Sequence, residues 1–505
     1  MKSFRFFHDT DCCITILLFI AALFTFVVFK HAIQDVNAAS RLSMCLALLD
    51  DGSFIIDKYE HNTIDKSFAN GHYYCDKAPG SSFLAFPFVA VGYHVFHALG
   101  RDDFTSTELL PNGEQGPNHN FKIMLLIGSI PVSVVCAAGI AVMYLLGRLL
   151  GAAKKLSFFC AVLLAVGTPF GVWATVLYGH SLSASLLLIG LYLGLRQILI
   201  RLPDEKNRMP SPMWIAIGFL LAYAVLVEYP TAVAACLIGL LFPGMEVYRK
   251  QSFRTATRTT LYLVLGAIPV AVVFFAYNTI CFGGPLKIGY NFVGAGGFAE
   301  MDRGFYGIKH PDTVVLLKTF VDSRYGILYF APWIILSPIF AVRNIVHGNR
   351  RDLNILALLI PAFYFLLNSS YSYWYASHIP CRHVTPAFPF LVLPLLSGWK
   401  KGSPSMRCLF VLLFASSYFF STGALLSPCN GYYAYEYIVT DYPSIYFLRT
   451  IFLDREATNL FFHLGMKPWM SYLPLIVVYS GFARLFCREL RDETDTPSTG
   501  IGQEQ

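Results

Sequence analysis

The chain has 505 residues and a formal net charge of +7. Hydrophobic residues make up 55% of it and aromatic residues 16%, but only 14% are charged, against about 25% in a soluble domain. That balance, with a mean hydropathy of +0.54, excludes an ordinary cytosolic globule, a disordered chain and a nucleic-acid-binding domain.

Lys2 and Arg5 precede an apolar run from Cys13 to Phe29. The residues after it are Lys30, His31 and Ala32, which form no small-residue cleavage site. The run therefore reads as a retained first transmembrane helix rather than a signal peptide. Further apolar runs predict spans near 13–30, 121–147, 156–177, 180–200, 212–228, 230–248, 259–281, 326–343, 352–369, 384–399, 406–426 and 469–487. The expected fold is an all-α polytopic membrane protein with about twelve transmembrane helices. Ser82 to Leu99 is also apolar but carries Pro87, Gly92, His94 and His97.

The basic residues set the sidedness. Arg148, Lys154 and Lys155 share one short loop, and Arg196, Arg201, Lys206 and Arg208 another. Arg249, Lys250, Arg254 and Arg258 mark a third, Arg343, Arg350 and Arg351 a fourth, and Lys400, Lys401 and Arg407 a fifth. Arg484, Arg488 and Arg491 follow the last span. These loops alternate if 82–99 does not cross, and the positive-inside rule is then obeyed at each of them. The reading is one domain over 1–487, both ends cytoplasmic, with 82–99 as a juxtamembrane helix and 488–505 as a disordered cytoplasmic tail.

Four longer segments then lie outside: 31–120, 282–325, 370–383 and 427–468. Long, polar, non-repetitive loops are where chemistry is expected. The first holds Asp35 just past the first helix. Ala38 to Leu49 follows with helical apolar spacing that suits an amphipathic helix on the membrane. Asp57, Asp65, the pair Tyr73 and Tyr74, Asp76 and Lys77 come next, closed by Pro79-Gly80. Carboxylates near a membrane plane are expensive unless solvated or functional. Other outer positions add Gly179-His180, Glu228-Tyr229-Pro230, a Gly-rich stretch with Arg303 and Arg324, the aromatic run Tyr371, Tyr373, Trp374, Tyr375, and then Cys381-Arg382-His383. Arg382 and His383 side by side suit a phosphate clamp. The twelve cysteines form no CxxC pair and no cluster at zinc spacing, so no metal ligands are assigned. Cys45, Cys75, Cys381 and Cys429 share the outer side, where disulfides can form.

At these residues the sequence resembles the GT-C integral-membrane glycosyltransferases, specifically the bacterial relatives of protein O-mannosyltransferases and aminoarabinose transferases. The resemblance is carried by Asp35, NAASRL (37–42), TIDK (63–66), GHYYCDKAPGSS (71–82), GTPFGVWATVLYGHSL (167–182), EYP (228–230), DSRYGILYFAPW (322–333) and WYASHIPCRHVTPAFPF (374–390). KAPG looks like the family's Lys-Pro-Pro motif with Ala for the first Pro. Asp35 is followed by Val36, where relatives often carry Asp-Glu.

The resemblance implies a polyprenyl-phosphate sugar donor, an acceptor outside the cytoplasm, no nucleic acid, and a bacterial inner-membrane location. Some relatives need a divalent cation and others do not. Displacement at the anomeric carbon needs a base for the acceptor hydroxyl and fixed positive charge for the leaving phosphate. The expected roles are Asp35 or Asp65 as base, Lys77, Arg382 and His383 on the donor phosphate, and Tyr73, Tyr74, Asp76, His180, Glu228, Arg324 and Trp374 lining the substrate cavity. The competing readings are a twelve-span secondary transporter, although this sequence shows no convincing repeat between its halves of the kind such proteins usually carry, and a membrane binding protein without catalysis.

Overall fold

In the computed structural model the described residues are 9–29, 36–109, 115–200, 212–249, 252–293, 299–302, 305–322, 326–374, 382–398, 404–426, 459–467 and 469–491. They form a helical bundle with two small hairpins. The helices are α1 (Asp9–Val28), α2 (Val36–Asp51), α3 (Gly80–Ala98), α4 (His119–Leu149), α5 (Lys154–Val166), α6 (Phe170–Trp173), α7 (His180–Leu199), α8 (Met213–Val227), α9 (Thr231–Tyr248) and α10 (Phe253–Phe282). After them come α11 (Thr313–Val321), α12 (Ile327–Phe330), α13 (Leu336–Val346), α14 (Arg351–Ser370), α15 (Phe388–Gly398), α16 (Pro404–Leu426), α17 (Leu460–His463) and α18 (Leu473–Arg491). Among the described residues nine helices are long and apolar enough to cross a membrane, and three shorter apolar helices accompany them.

Two expected spans are broken. The run 156–177 forms α5, which stops at Val166, and then the single turn of α6. Gly167, Thr168 and Pro169 stand between them, and a proline disfavours helix at the residue before it. The run 326–343 likewise splits into α12, a 3₁₀ turn from Pro332 and then α13.

Helix ends follow local chemistry. Asn118 caps α4 by accepting from the Phe121 N–H at 2.9 Å, and Ser252 caps α10. Gly283, at φ 72°, closes α10 in the left-handed conformation. Small residues let α8 and α10 cross closely: Gly218 lies against the Leu263 carbonyl and Gly266 against that of Ile215.

One end of the bundle gathers the basic loops. Arg148 Nε meets Asp11 Oδ1 at 3.0 Å, and Arg249 Nη1 donates to the Ile198 carbonyl at 3.1 Å. Ser133 Oγ lies 3.3 Å from the Phe26 carbonyl, so α4 runs beyond the far end of α1 by about 12 residues, or roughly 18 Å. Helix α3 packs along that extension, with Val89 against Gly128 and Gly92 against Met124.

Helix α2 is expected to lie on the membrane. Instead Asn37 to Ala47 are all buried within the protein, covered by α3, α4 and the segment that follows α2. That segment includes β1 (Lys66–Ala69) and β2 (His72–Cys75), an antiparallel hairpin in the register Lys66↔Cys75 to Ala69↔His72. Asn70 and Gly71 make its turn at φ 53° and 84°, a two-residue form that requires positive φ at both positions. A second hairpin pairs β3 (Thr107–Leu109) with β4 (Gln115–Pro117).

Candidate functional site

At the end of the bundle opposite the basic loops, the chain turns of several elements bring ionisable side chains together. Hairpin β1–β2 runs directly into the start of α3, and Asp65 and Asp76 flank its two strands. Lys77 Nζ lies 2.9 Å from Asp65 Oδ2 and 2.7 Å from Asp76 Oδ2, with all three side chains largely buried. Ser40 Oγ on α2 reaches Asp76 Oδ1 at 3.4 Å. The loop is pinned from both sides. Thr63 Oγ1 donates to the Val36 carbonyl at 2.6 Å and accepts from the Asp65 N–H at 3.0 Å. Gly289 lies so close to Asp76 that a Cβ there would sit 2.8 Å from the Asp76 Cα.

The electrostatics follow from burial and proximity. Burial pushes the Asp76 carboxyl up, Lys77 opposes this, and Asp65 adds to it. Burial alone would lower Lys77, but Asp65 and Asp76 together hold it above the ordinary lysine range. Burial also raises Glu228, opposed by Arg41, Arg382 and Lys77. Tyr371 is pushed up to about 12 by burial, with Lys77 and Arg382 pulling the other way. Lys77 and Arg382 therefore act on the same two side chains, although they are far apart in the chain.

Glu228 sits between α8 and α9 and leans on the start of α7. Its Oε2 is 3.5 Å from His180 Nδ1 and packs against Gly179, where a side chain would collide with it. That oxygen accepts no hydrogen bond among the described residues. Arg382 Nη1 donates to Tyr178 Oη at 3.1 Å. The guanidinium carbons of Arg382 and Arg41 lie 5.3 and 6.0 Å from the centre of the Tyr178 ring. His383 stands edge-on to His180 at 5.6 Å and to Tyr371 at 5.2 Å.

Of the residues singled out in the sequence, Asp65, Asp76, Lys77, His180, Glu228, Arg382 and His383 thus meet at one place. Others do not join them. Tyr73 lies on Phe68 at 5.0 Å and under Lys66 at 4.7 Å, on the hairpin's outer face. Tyr74 points the other way and packs on Phe282 at 5.7 Å, as strand alternation requires. Trp374 takes Lys318 over its ring at 5.9 Å. Asp35, Arg324, Cys381 and Cys429 lie outside the described residues. Cys45 and Cys75 are buried free thiols. No group of three His, Cys, Asp or Glu side chains that could hold a metal occurs among the described residues.

Sequence reasoning missed Arg41, Tyr178 and Tyr290. Arg41 is 3% exposed, donates to Asn37 Oδ1 and forms no ion pair with a carboxylate among the described residues; its Nε has no hydrogen-bond partner there. The signal was present: at helical spacing from Ala38 and Cys45, Arg41 puts a cation on the apolar face of α2. Tyr178 precedes Gly179-His180 directly. Tyr290 had no local signal, since its place beside the cluster comes from Gly289 packing on Asp76.

Fold and site together define a polytopic helical membrane protein with a buried ionic cluster at one end of its bundle. No protein-family model matches the chain, and no curated protein matches it. Among solved structures it is similar to ArnT from Cupriavidus metallidurans in the apo state, at 14% identity and a TM-score of 0.49, over 86% of this chain and 69% of that one. It is also similar to the Archaeoglobus fulgidus oligosaccharyltransferase in the apo form, at 12% identity and a TM-score of 0.44, over 87% of this chain. The chain spans 60% of that protein's length.

Proposed function

We propose that this protein is a GT-C-type glycosyltransferase that moves a sugar from a polyprenyl-phosphate donor to an acceptor on the extracytoplasmic side of a bacterial inner membrane. The observation that carries this reading is the buried cluster itself: Lys77 between Asp65 and Asp76, with the guanidiniums of Arg41 and Arg382 6.0 and 5.3 Å from the Tyr178 ring and both acting on Glu228. Charged groups at such depth are costly unless they serve one another or a substrate.

The chemistry is a displacement. The acceptor oxygen bonds to the anomeric carbon, and the bond from that carbon to the phosphate oxygen breaks with its electron pair leaving on the phosphate. The acceptor proton goes to a carboxylate, Asp65 or Asp35. Negative charge grows on the departing phosphate, and Arg41, Arg382 and Lys77 supply fixed positive charge for it, with His383 as a further donor. Arg41 fits this role best, because its buried guanidinium forms no ion pair with a carboxylate among the described residues. Apolar helix surface takes the polyprenyl tail.

Purified protein in nanodiscs, incubated with labelled polyprenyl-phosphate sugars and an envelope extract, should release polyprenyl phosphate and label an acceptor. Arg41→Gln should abolish both. Failure of the wild-type protein to bind or turn over any polyprenyl-phosphate compound would overturn the reading.

A further inference from the structure

Beside the ionic cluster the chain makes a tight reversal at Phe305-Tyr306-Gly307-Ile308. The Phe305 and Ile308 backbones exchange hydrogen bonds of 3.3 and 3.1 Å, and the two central residues have φ of 55° and 76°. Such a turn calls for Asn or Gly at its first central position. Here it is tyrosine, a bulky residue that is rarely found at positive φ.

The surroundings hold the turn in place. Ile308 bridges to Tyr371, Ser372 N–H donates to the Gly307 carbonyl at 3.0 Å, and Lys309 N–H to that of Ser370 at 2.7 Å. Gly307 lies against the Tyr371 ring, where a Cβ would be 3.4 Å from it. The Tyr306 ring is 6.5 Å from Tyr290, whose neighbour Gly289 packs on Asp76, and 4.6 Å from Phe305, which is 69% exposed. An aromatic needed only for packing would not demand this backbone. Strain kept next to a polar site points to a function for the ring.

We propose that Tyr306 is a specificity-determining residue whose ring, presented by the strained turn, stacks on the sugar carried by the donor. This rests on the sugar-transfer reading above. The distance supports it: the sugar is bonded directly to the phosphate, and Tyr306 lies one aromatic ring away from the Asp76–Lys77 segment. A pyranose offers an apolar C–H face to such a ring, and the Tyr290 and Phe305 rings stand 6.5 and 4.6 Å from it.

Three proteins test it in nanodiscs: wild type, Tyr306→Asn and Tyr306→Phe. Each is titrated with bare polyprenyl phosphate and with polyprenyl-phosphate mannose, glucose and aminoarabinose, and its Tm is measured. Asn accepts positive φ, so Tyr306→Asn should raise the Tm. It should leave binding of bare polyprenyl phosphate unchanged and weaken the preferred sugar-bearing donor about fivefold to tenfold, the scale of an aromatic contact. Tyr306→Phe keeps the ring and should behave as wild type. A lower Tm for Tyr306→Asn would mean that the ring serves packing, and an unchanged preference among donors would remove the stacking role; either overturns the inference. If wild type binds bare polyprenyl phosphate and no sugar-bearing donor better, the inference falls while lipid-phosphate binding stands. If it binds none of the four, the sugar-transfer reading falls with it.

Discussion

Lys77 is a buried cation held by two carboxylates, and the three side chains stand or fall together. Removing the lysine leaves Asp65 and Asp76 buried side by side. Lys77→Met should therefore destabilise the protein by about 3–5 kcal/mol, and adding Asp76→Asn should recover part of that loss, as denaturation in detergent micelles would show. The base is tested separately, with Asp35→Asn and Asp65→Asn compared at matched expression. A positioned base contributes roughly 10²–10⁴-fold, so one of the two variants should lose transfer on that scale. Near-normal turnover in both would remove carboxylate base catalysis from these positions. Arg382→Lys keeps the charge but loses the planar fork, and it should impair transfer more than charge alone would suggest. Glu228 brings a pH dependence. Its folded-state carboxyl is raised above the ordinary 4.5 by burial, so the folded protein holds that proton at pH values where the unfolded chain has lost it. The associated stability is present below the ordinary value and is lost as pH rises through the raised one. The wild-type Tm should fall over that window, and Glu228→Gln should flatten the fall.

Helices place these groups through a few close approaches. Gly80 opens α3 three residues after Lys77, and a Cβ there would lie 2.7 Å from the backbone of Leu226 and Val227 on α8. Backbone cannot yield as a flexible side chain can. Gly80→Ala should cost about 1–3 kcal/mol and shift Lys77, lowering transfer as well. Gly239 in α9 is the control, since nothing lies within 4 Å of its added Cβ, and Gly239→Ala should be neutral or gain up to about 1 kcal/mol from helix propensity. At this scale the helices were largely legible, because a charge-free apolar run long enough for a bilayer is a property of the segment itself. The β1–β2 hairpin was legible too, in Asn70-Gly71, but the apolar reading passed over it. The breaks at Gly167–Pro169 and at Pro332 were likewise written in the residues. The burial of α2 was not: its apolar spacing fits a membrane surface as well as a protein interior, and only the covering elements distinguish the two.

For the molecule as a whole, the bundle separates a basic end, where Asp11 meets Arg148 and Arg249 meets the end of α7, from the end that holds the ionic cluster. The positive-inside rule would put the first in the cytoplasm. Single cysteines placed in a background lacking the exposed native ones test this. Lys287→Cys should react with an impermeant maleimide in intact cells, and Arg254→Cys only after permeabilisation. Labelling of Arg254→Cys in intact cells would sink the arrangement.

The sequence by itself determined the class of solvent this chain folds in, the approximate places of its helices and the segments in which chemistry was to be sought. These follow from composition and short-range periodicity, and they need no knowledge of distant residues. Only the tertiary structure decided which polar residues meet. Tyr73 and Asp76 sit three residues apart, yet one lies on the hairpin's outer face and the other in the cluster, because strand alternation and the packing of Gly289 separate them. Arg41, Glu228 and Arg382 come from three distant parts of the chain and act on one another because close helix packing aligns their ends. Long-range proximity of that kind is set by the packing of whole elements, and no local pattern in the chain encodes it.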